Sequence, residues 1–101
     1  MTEHPRHRLD AVIHAPVRFS IVAALATVDE ADFATVRDAV EITDSALSKQ
    51  ISTLEDSGYV AVRKGAVGRR PRTWLRLTRT GRDAFERHLD ALRRIAEGAS
   101  S

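Results

Sequence analysis

Apolar residues recur along the chain at two periods, one helical and one strand-like. Residues 9 to 13, LDAVI, read as a short helix that stops ahead of Pro16. The residue before a proline disfavours helical dihedrals, whereas proline itself suits a first helical turn. Val17, Ile21, Val22 and Leu25, with Val28 beyond them, follow helical spacing and predict a second helix over 16 to 26. Residues 29 to 32, DEAD, form an acidic break, and Phe33 fits a very short strand. A third helix is predicted over 35 to 40 with Val36, Ala39 and Val40 facing inward, and Glu41-Ile42 allow only a tight turn. Thr43 is a natural N-cap, with Asp44 favourable in the first turn, and the helix it opens runs to Gly58 as a C′ residue.

Alternation over 59 to 63 and again over 73 to 77 predicts two strands. Between them lies a basic loop punctuated by Gly65 and Gly68, so the pair reads as a hairpin. Thr78 then caps a last helix over 79 to 96, with Phe85, Leu89, Leu92 and Ala96 in one stripe and His88 and Ile95 beside it. Two short helices, a tight turn and a following hairpin predict a winged helix-turn-helix, mainly α with a small β-hairpin. The expected layout is one domain over 9 to 96, with its dimerisation helix from about 79 and flexible tails at 1 to 8 and 97 to 101.

The helix over 43 to 58 carries the first functional signal. Leu47, Ile51 and Leu54 share one face and must meet the core. The opposite face then holds Ser45, Ala46, Ser48, Lys49, Ser52 and, at its edge, Thr53. Serine and threonine are mediocre helix formers, so a merely solvated face has little reason to collect them. A helix that enters a DNA groove has one: short side chains permit close approach, and hydroxyls meet base edges and phosphates.

Charge supplies the second signal. Between Ala61 and Arg82 there are eight basic residues and no acidic one, while the other eight basic residues sit against all fourteen acidic ones. A segment of +8 on a body of −6 points to a polyanionic partner. Arg63, Lys64, Arg69, Arg70, Arg72 and Thr73 are placed on the wing, where they could follow a phosphate backbone or enter a minor groove. With Thr43 and the helix face, they make up the candidate DNA-binding set. A protein-contact or RNA-binding module is the alternative, because phosphate attraction alone does not separate RNA from DNA.

Over residues 9 to 95 the chain resembles the short MarR-type winged-helix transcriptional regulators. The matching stretches are LDAVIHAPVRFSIVAAL, ADFATVRDAVEITDSALSKQISTLEDSGYVAVRKG and GRRPRTWLRLTRTGRDAF. The resemblance implies a homodimer on a pseudo-palindromic operator, and it carries DNA contact to Ser45, Ser48 and Lys49 and to Arg69, Arg70 and Arg72. The chain is shorter than full-length members and lacks their long N-terminal dimerisation helix.

The apolar stripe of the last helix can pack on the domain's own core or on a second copy. In a chain of 101 residues pairing is favoured, and the expected interface is Leu9, Val12, Ile13, Phe85, His88, Leu89, Leu92 and Ile95. No phosphate loop, nucleophile elbow or acid-base pair suggests an enzyme. Without cysteine, and with His4, His7, His14 and His88 lacking companions at ligand spacing, neither a metal nor a cofactor is expected. His14 and Phe19 could line a pocket for a small-molecule effector, but no residue pattern identifies one. The polar N-terminus and the absence of a spanning apolar run imply no membrane partner and a cytoplasmic protein.

Overall fold

A computed structural model describes residues 3 to 98. The element order is a 3-10 turn (Pro5–Arg8), α1 (Ala11–His14), α2 (Pro16–Ala26), β1 (Ala31–Asp32), α3 (Phe33–Val40), α4 (Asp44–Asp56), β2 (Val60–Val67), β3 (Arg70–Leu77) and α5 (Arg79–Ala96). The helix starts are written in side chains. The Asp10 carboxylate accepts from the amides of Val12 and Ile13 at 2.9 and 3.1 Å, and Asp32 accepts from Ala34 at 2.7 Å. Ala15 is extended and Pro16 opens α2, as the sequence predicts. Gly58, at φ 79°, ends α4 in the left-handed region, which glycine adopts without a Cβ clash.

One hydrophobic core joins these elements. Ile13, Ile21, Val22, Leu25, Val36, Leu47, Ile51, Leu54, Val60, Leu75, Leu77, Ala84 and Phe85 are buried in a single cluster. The sheet is antiparallel with order β1-β3-β2. β1 adds only Ala31 opposite Leu75 and Asp32 opposite Trp74, whereas β2 and β3 pair continuously from Val60–Leu77 to Val67–Arg70. The radius of gyration is 15.3 Å, against roughly 13 Å for a compact domain of this size. Every residue from Arg63 to Arg72 is exposed, so the hairpin leaves the body beyond Val62.

Several expectations change. The short strand is residues 31 and 32, and Phe33 begins α3 instead. Ala39 and Val28 are exposed; the inward side of α3 is Val36 with Val40 half-buried. The basic stretch over 64 to 72 is paired strand rather than loop, closed by a two-residue turn at Gly68-Arg69. Gly68 has φ 64°, the positive value a type II′ turn requires at its first central position. Residues 5 to 8, expected within a flexible tail, form a 3-10 turn lying against α5. The ends of the two expected tails, residues 1–2 and 99–101, lie outside the described residues.

The expected dimer interface also divides. Ile13, Phe85 and His88 are buried inside the protomer, where they pack on its own core. Phe85 packs edge-on to Phe19 with ring centroids 5.8 Å apart, because α5 folds back over α1 and α2. Leu89 remains exposed, and Leu9, Val12, Leu92 and Ile95 are half-buried.

Candidate nucleic-acid interface

The surface is built on α4. Its N-cap is Thr43, whose hydroxyl oxygen accepts from the Ala46 amide at 3.1 Å. Leu47, Ile51 and Leu54 are buried, which fixes the rotation of the helix. Ser45, Ser48, Lys49 and Ser52 are therefore exposed along the other side. Ala46 and Thr53 lie half-buried at its edges, and the Thr53 hydroxyl donates to the Lys49 carbonyl at 3.4 Å. The turn leading into α4 uses Glu41 in the left-handed region at φ 61°, and Ile42 donates to the Arg37 carbonyl at 3.3 Å.

The helix is anchored from two sides that sequence reasoning missed. Arg18 of α2 donates to the Val12 carbonyl at 2.6 Å and to Gln50 Oε1 at 2.9 Å, tying α4 to the body. Arg37 of α3 donates to Asp38 at 2.9 Å and to Asp44 at 2.8 Å. Both carboxylates raise the Arg37 pKa above its usual value. The pair neutralises an acid at the mouth of the surface, seven residues along the chain and across a turn.

The wing's register sorts its charges by face. Residues directly opposite in an antiparallel ladder share a face, and neighbours along a strand alternate. Val60, Val62, Lys64 and Ala66 thus share one face with Leu77, Leu75, Thr73 and Pro71. That face turns towards α4: Ser48, Ile51, Ser52 and Glu55 line one wall of a cleft of about 520 Å³, and Val62, Lys64, Pro71 and Thr73 line the other. The other face carries Arg63, Gly65, Val67, Arg70, Arg72, Trp74 and Arg76. Arg69 sits in the turn. Pro71 opposes Ala66, one step from the closing pair, where the ladder needs no amide from it.

The eight basic residues are not equivalent. Arg63 donates to both carboxylate oxygens of Glu30, at 2.7 and 3.2 Å, and its guanidinium lies 4.1 Å from the Trp74 ring centroid. This bond holds the Glu30 carboxyl below its usual pKa and raises that of Arg63. Arg82 donates to the Ala26 carbonyl at 3.0 Å, and Arg79 lies 4.0 Å from Asp83. Among the described residues, Lys49, Lys64, Arg69, Arg70, Arg72 and Arg76 form no ion pair and are exposed. Arg6, Arg8 and Arg87 are likewise exposed without an ion pair, but they lie on the 3-10 turn and α5, away from α4 and the wing.

A polar node lies behind α4, around Asp10. The Asp10 amide donates to His88 Nδ1 at 3.0 Å, and Tyr59 donates its hydroxyl to the Asp10 carboxylate at 2.5 Å. Asp10 raises the Tyr59 pKa. His88 is fully buried, with Nε2 unpartnered among the described residues and with His14 and Phe19 edge-on at 5.4 and 5.5 Å. Burial, then the neighbouring His14, lowers its pKa against the opposing pull of Asp10. No group of three or more His, Cys, Asp or Glu side chains able to hold a metal occurs among the described residues. No helix there is long and apolar enough to cross a membrane.

Residues 17–96 match the family model of a winged helix DNA-binding domain. An uncharacterized protein of Methanocaldococcus jannaschii is 27% identical over 78 residues, spanning 77% of this chain and 85% of its own. The structure of a transcriptional regulator homologue from Pyrococcus horikoshii OT3 superposes with a TM-score of 0.86 at 26% identity, over 99% of this chain and all of that one. A MarR-family transcriptional regulator from Silicibacter pomeroyi shares the fold at a TM-score of 0.65 and 22% identity, over 89% of this chain and 60% of its own. The MarR-type resemblance drawn from the sequence holds in the fold.

Proposed function

This chain belongs to the winged helix DNA-binding domain family, and from that premise we propose that it is a transcriptional regulator that reads specific double-stranded DNA as a homodimer. The observation that carries the reading is the pairing of two surfaces. The exposed Ser45, Ser48, Lys49 and Ser52 of α4 stand beside a wing whose Lys64, Arg69, Arg70 and Arg72 are unpaired among the described residues. The helix enters the major groove, where its hydroxyls and Lys49 meet base edges. The wing cations attach to phosphates or to the adjoining minor groove.

Pairing uses the outward side of α5, where Leu89 is exposed and Leu92 and Ile95 are half-buried, together with Leu9 and Val12. A two-fold axis there brings two recognition helices to one side of a duplex, about 34 Å apart, and so calls for a pseudo-palindromic operator.

Selection of bound duplexes from a random pool tests specificity and half-site spacing together. Enrichment of an inverted repeat with half-sites about one helical turn apart is the expected result. Equal recovery of all duplexes overturns sequence reading. A monomer in analytical ultracentrifugation at micromolar concentration, with and without duplex, overturns the dimer. Ser48→Ala and Lys49→Ala should shift base preference.

A further inference from the structure

We propose that Glu30 is a positioning residue for the wing: it holds the Arg63 guanidinium against Trp74, and this clasp fixes the pitch of the hairpin beside α4. The inference rests on the DNA-binding reading above and alters one part of it. Arg63 serves binding through geometry, whereas Arg69, Arg70 and Arg72 serve it through contact.

Position is the first argument. β1 pairs with β3 at Ala31–Leu75 and Asp32–Trp74, so Glu30 is delivered to the root of the hairpin by the strand that ties the sheet to the body. Beyond Val62 the hairpin has no buried residue. A two-stranded ribbon in water is marginal by itself and does not hold a fixed angle to its support. The clasp sits at the Arg63–Trp74 pair, the first pair of the ladder beyond the buried Leu75.

Geometry is the second. Arg63 and Trp74 are directly opposed in the ladder and share a face. The carboxylate takes two guanidinium donors at 2.7 and 3.2 Å, a fork that sets the plane of the group as well as its place. The same group lies 4.1 Å from the Trp74 ring centroid. The ring in turn covers Gly65, where a Cβ would come within 3.0 Å of it. Carboxylate, guanidinium, indole and bare backbone are thus one unit, and a phosphate that takes the remaining donors of the exposed Arg63 must share its charge with Glu30.

The charge of Glu30 gives the test its sign. Removing an acid from a DNA-binding surface ordinarily tightens binding. Glu30→Gln should instead weaken operator binding about threefold to fivefold, the size of an exposed ion pair and stack, with the salt slope unchanged. Arg63→Lys keeps the charge but cannot form the fork, and it should weaken binding to a similar extent. Trp74 is the chain's one tryptophan, so its emission reports on the clasp in the free protein. Both variants should increase its quenching by acrylamide while far-UV circular dichroism stays as in the wild type. Binding by Glu30→Gln equal to or tighter than wild type, or Trp74 quenching unchanged in both variants, overturns the clasp. If the wild type binds no duplex, the DNA reading fails, and the quenching comparison still decides whether the clasp holds the wing.

Discussion

The unpaired cations set how steeply DNA binding should fall with salt. Lys64, Arg69, Arg70, Arg72 and Arg76 of the wing are exposed and form no ion pair among the described residues, so a dimer offers about ten phosphate contacts. At about 0.9 released counterions per contact, log K should fall against log salt with a slope of about −9. Between about 50 and 200 mM salt that is a loss of roughly 10⁵ in affinity. Arg70→Ala removes two contacts from the dimer and should bring the slope to about −7. Arg63→Ala should weaken binding yet leave the slope near −9, because that guanidinium is already committed to Glu30 and Trp74. Fluorescence anisotropy with a labelled duplex, titrated at four or more salt concentrations, gives each slope. Equal changes of slope for Arg63→Ala and Arg70→Ala, or a wild-type slope shallower than about −4, would refute the division of the wing into clasp and contacts.

Three further outcomes concern the frame that carries this surface. Gly81→Ala places a Cβ against the Tyr59 carbonyl oxygen and 2.9 Å from Leu77 Cδ1, so despite better helix propensity it should cost about 2–4 kcal/mol in urea unfolding; a stabilised variant would show that α5 does not approach Tyr59 and Leu77 as closely as described. Glu41→Gly relieves a left-handed residue of about 1–2 kcal/mol of strain at some cost in chain entropy, and should stabilise by about 0.5–1 kcal/mol in the same measurement; a loss of stability would argue against the φ of 61°. His88 has a folded pKa below its ordinary 6.5, so the unfolded chain binds the proton first and stability should decline as pH falls below about 6.5. His88→Gln, which retains an acceptor for the Asp10 amide, should flatten that decline in urea midpoints taken from pH 7.5 to 5.5; an equally steep decline would assign it to other groups.

What the sequence disclosed was what short-range chemistry controls. Thr43 and Thr78 cap α4 and α5 as their positions require, and Leu47, Ile51 and Leu54 fix the face of α4 by spacing alone. The wing's true length was hidden, because strands exposed on both sides carry no apolar alternation from Arg63 to Arg72. Gly65 looked like turn punctuation, but its lack of a side chain admits the Trp74 ring. Glu30 gave no local sign of its role, since its partner is 33 residues away. The split of the α5 stripe was equally illegible. Ala84, Phe85, His88 and Ala91 face the protomer because α1 and α2 lie there, and periodicity cannot say which neighbour a helix meets.

The placement of Asp10 has a consequence for how α4 is held. Its carboxylate caps α1 and accepts from Tyr59, while its amide donates to His88 on α5. Tyr59 follows Gly58 directly after α4, and its amide donates to the Leu54 carbonyl at 2.9 Å while its carbonyl accepts from Thr78 at 2.9 Å. One short segment between the recognition helix and the wing is therefore bonded to the start of α1, the end of β3 and, through Asp10, the middle of α5. Residues on the outward side of α5, Leu89 and Leu92, flank His88 within one turn. A shift of α5 against its protomer would have to break the Asp10–His88 bond or drag Tyr59 with it, and Tyr59 sits where the angle between α4 and the wing is set. The two surfaces proposed for DNA are thus braced by the helix proposed for pairing, through a chain of bonds rather than through the core alone.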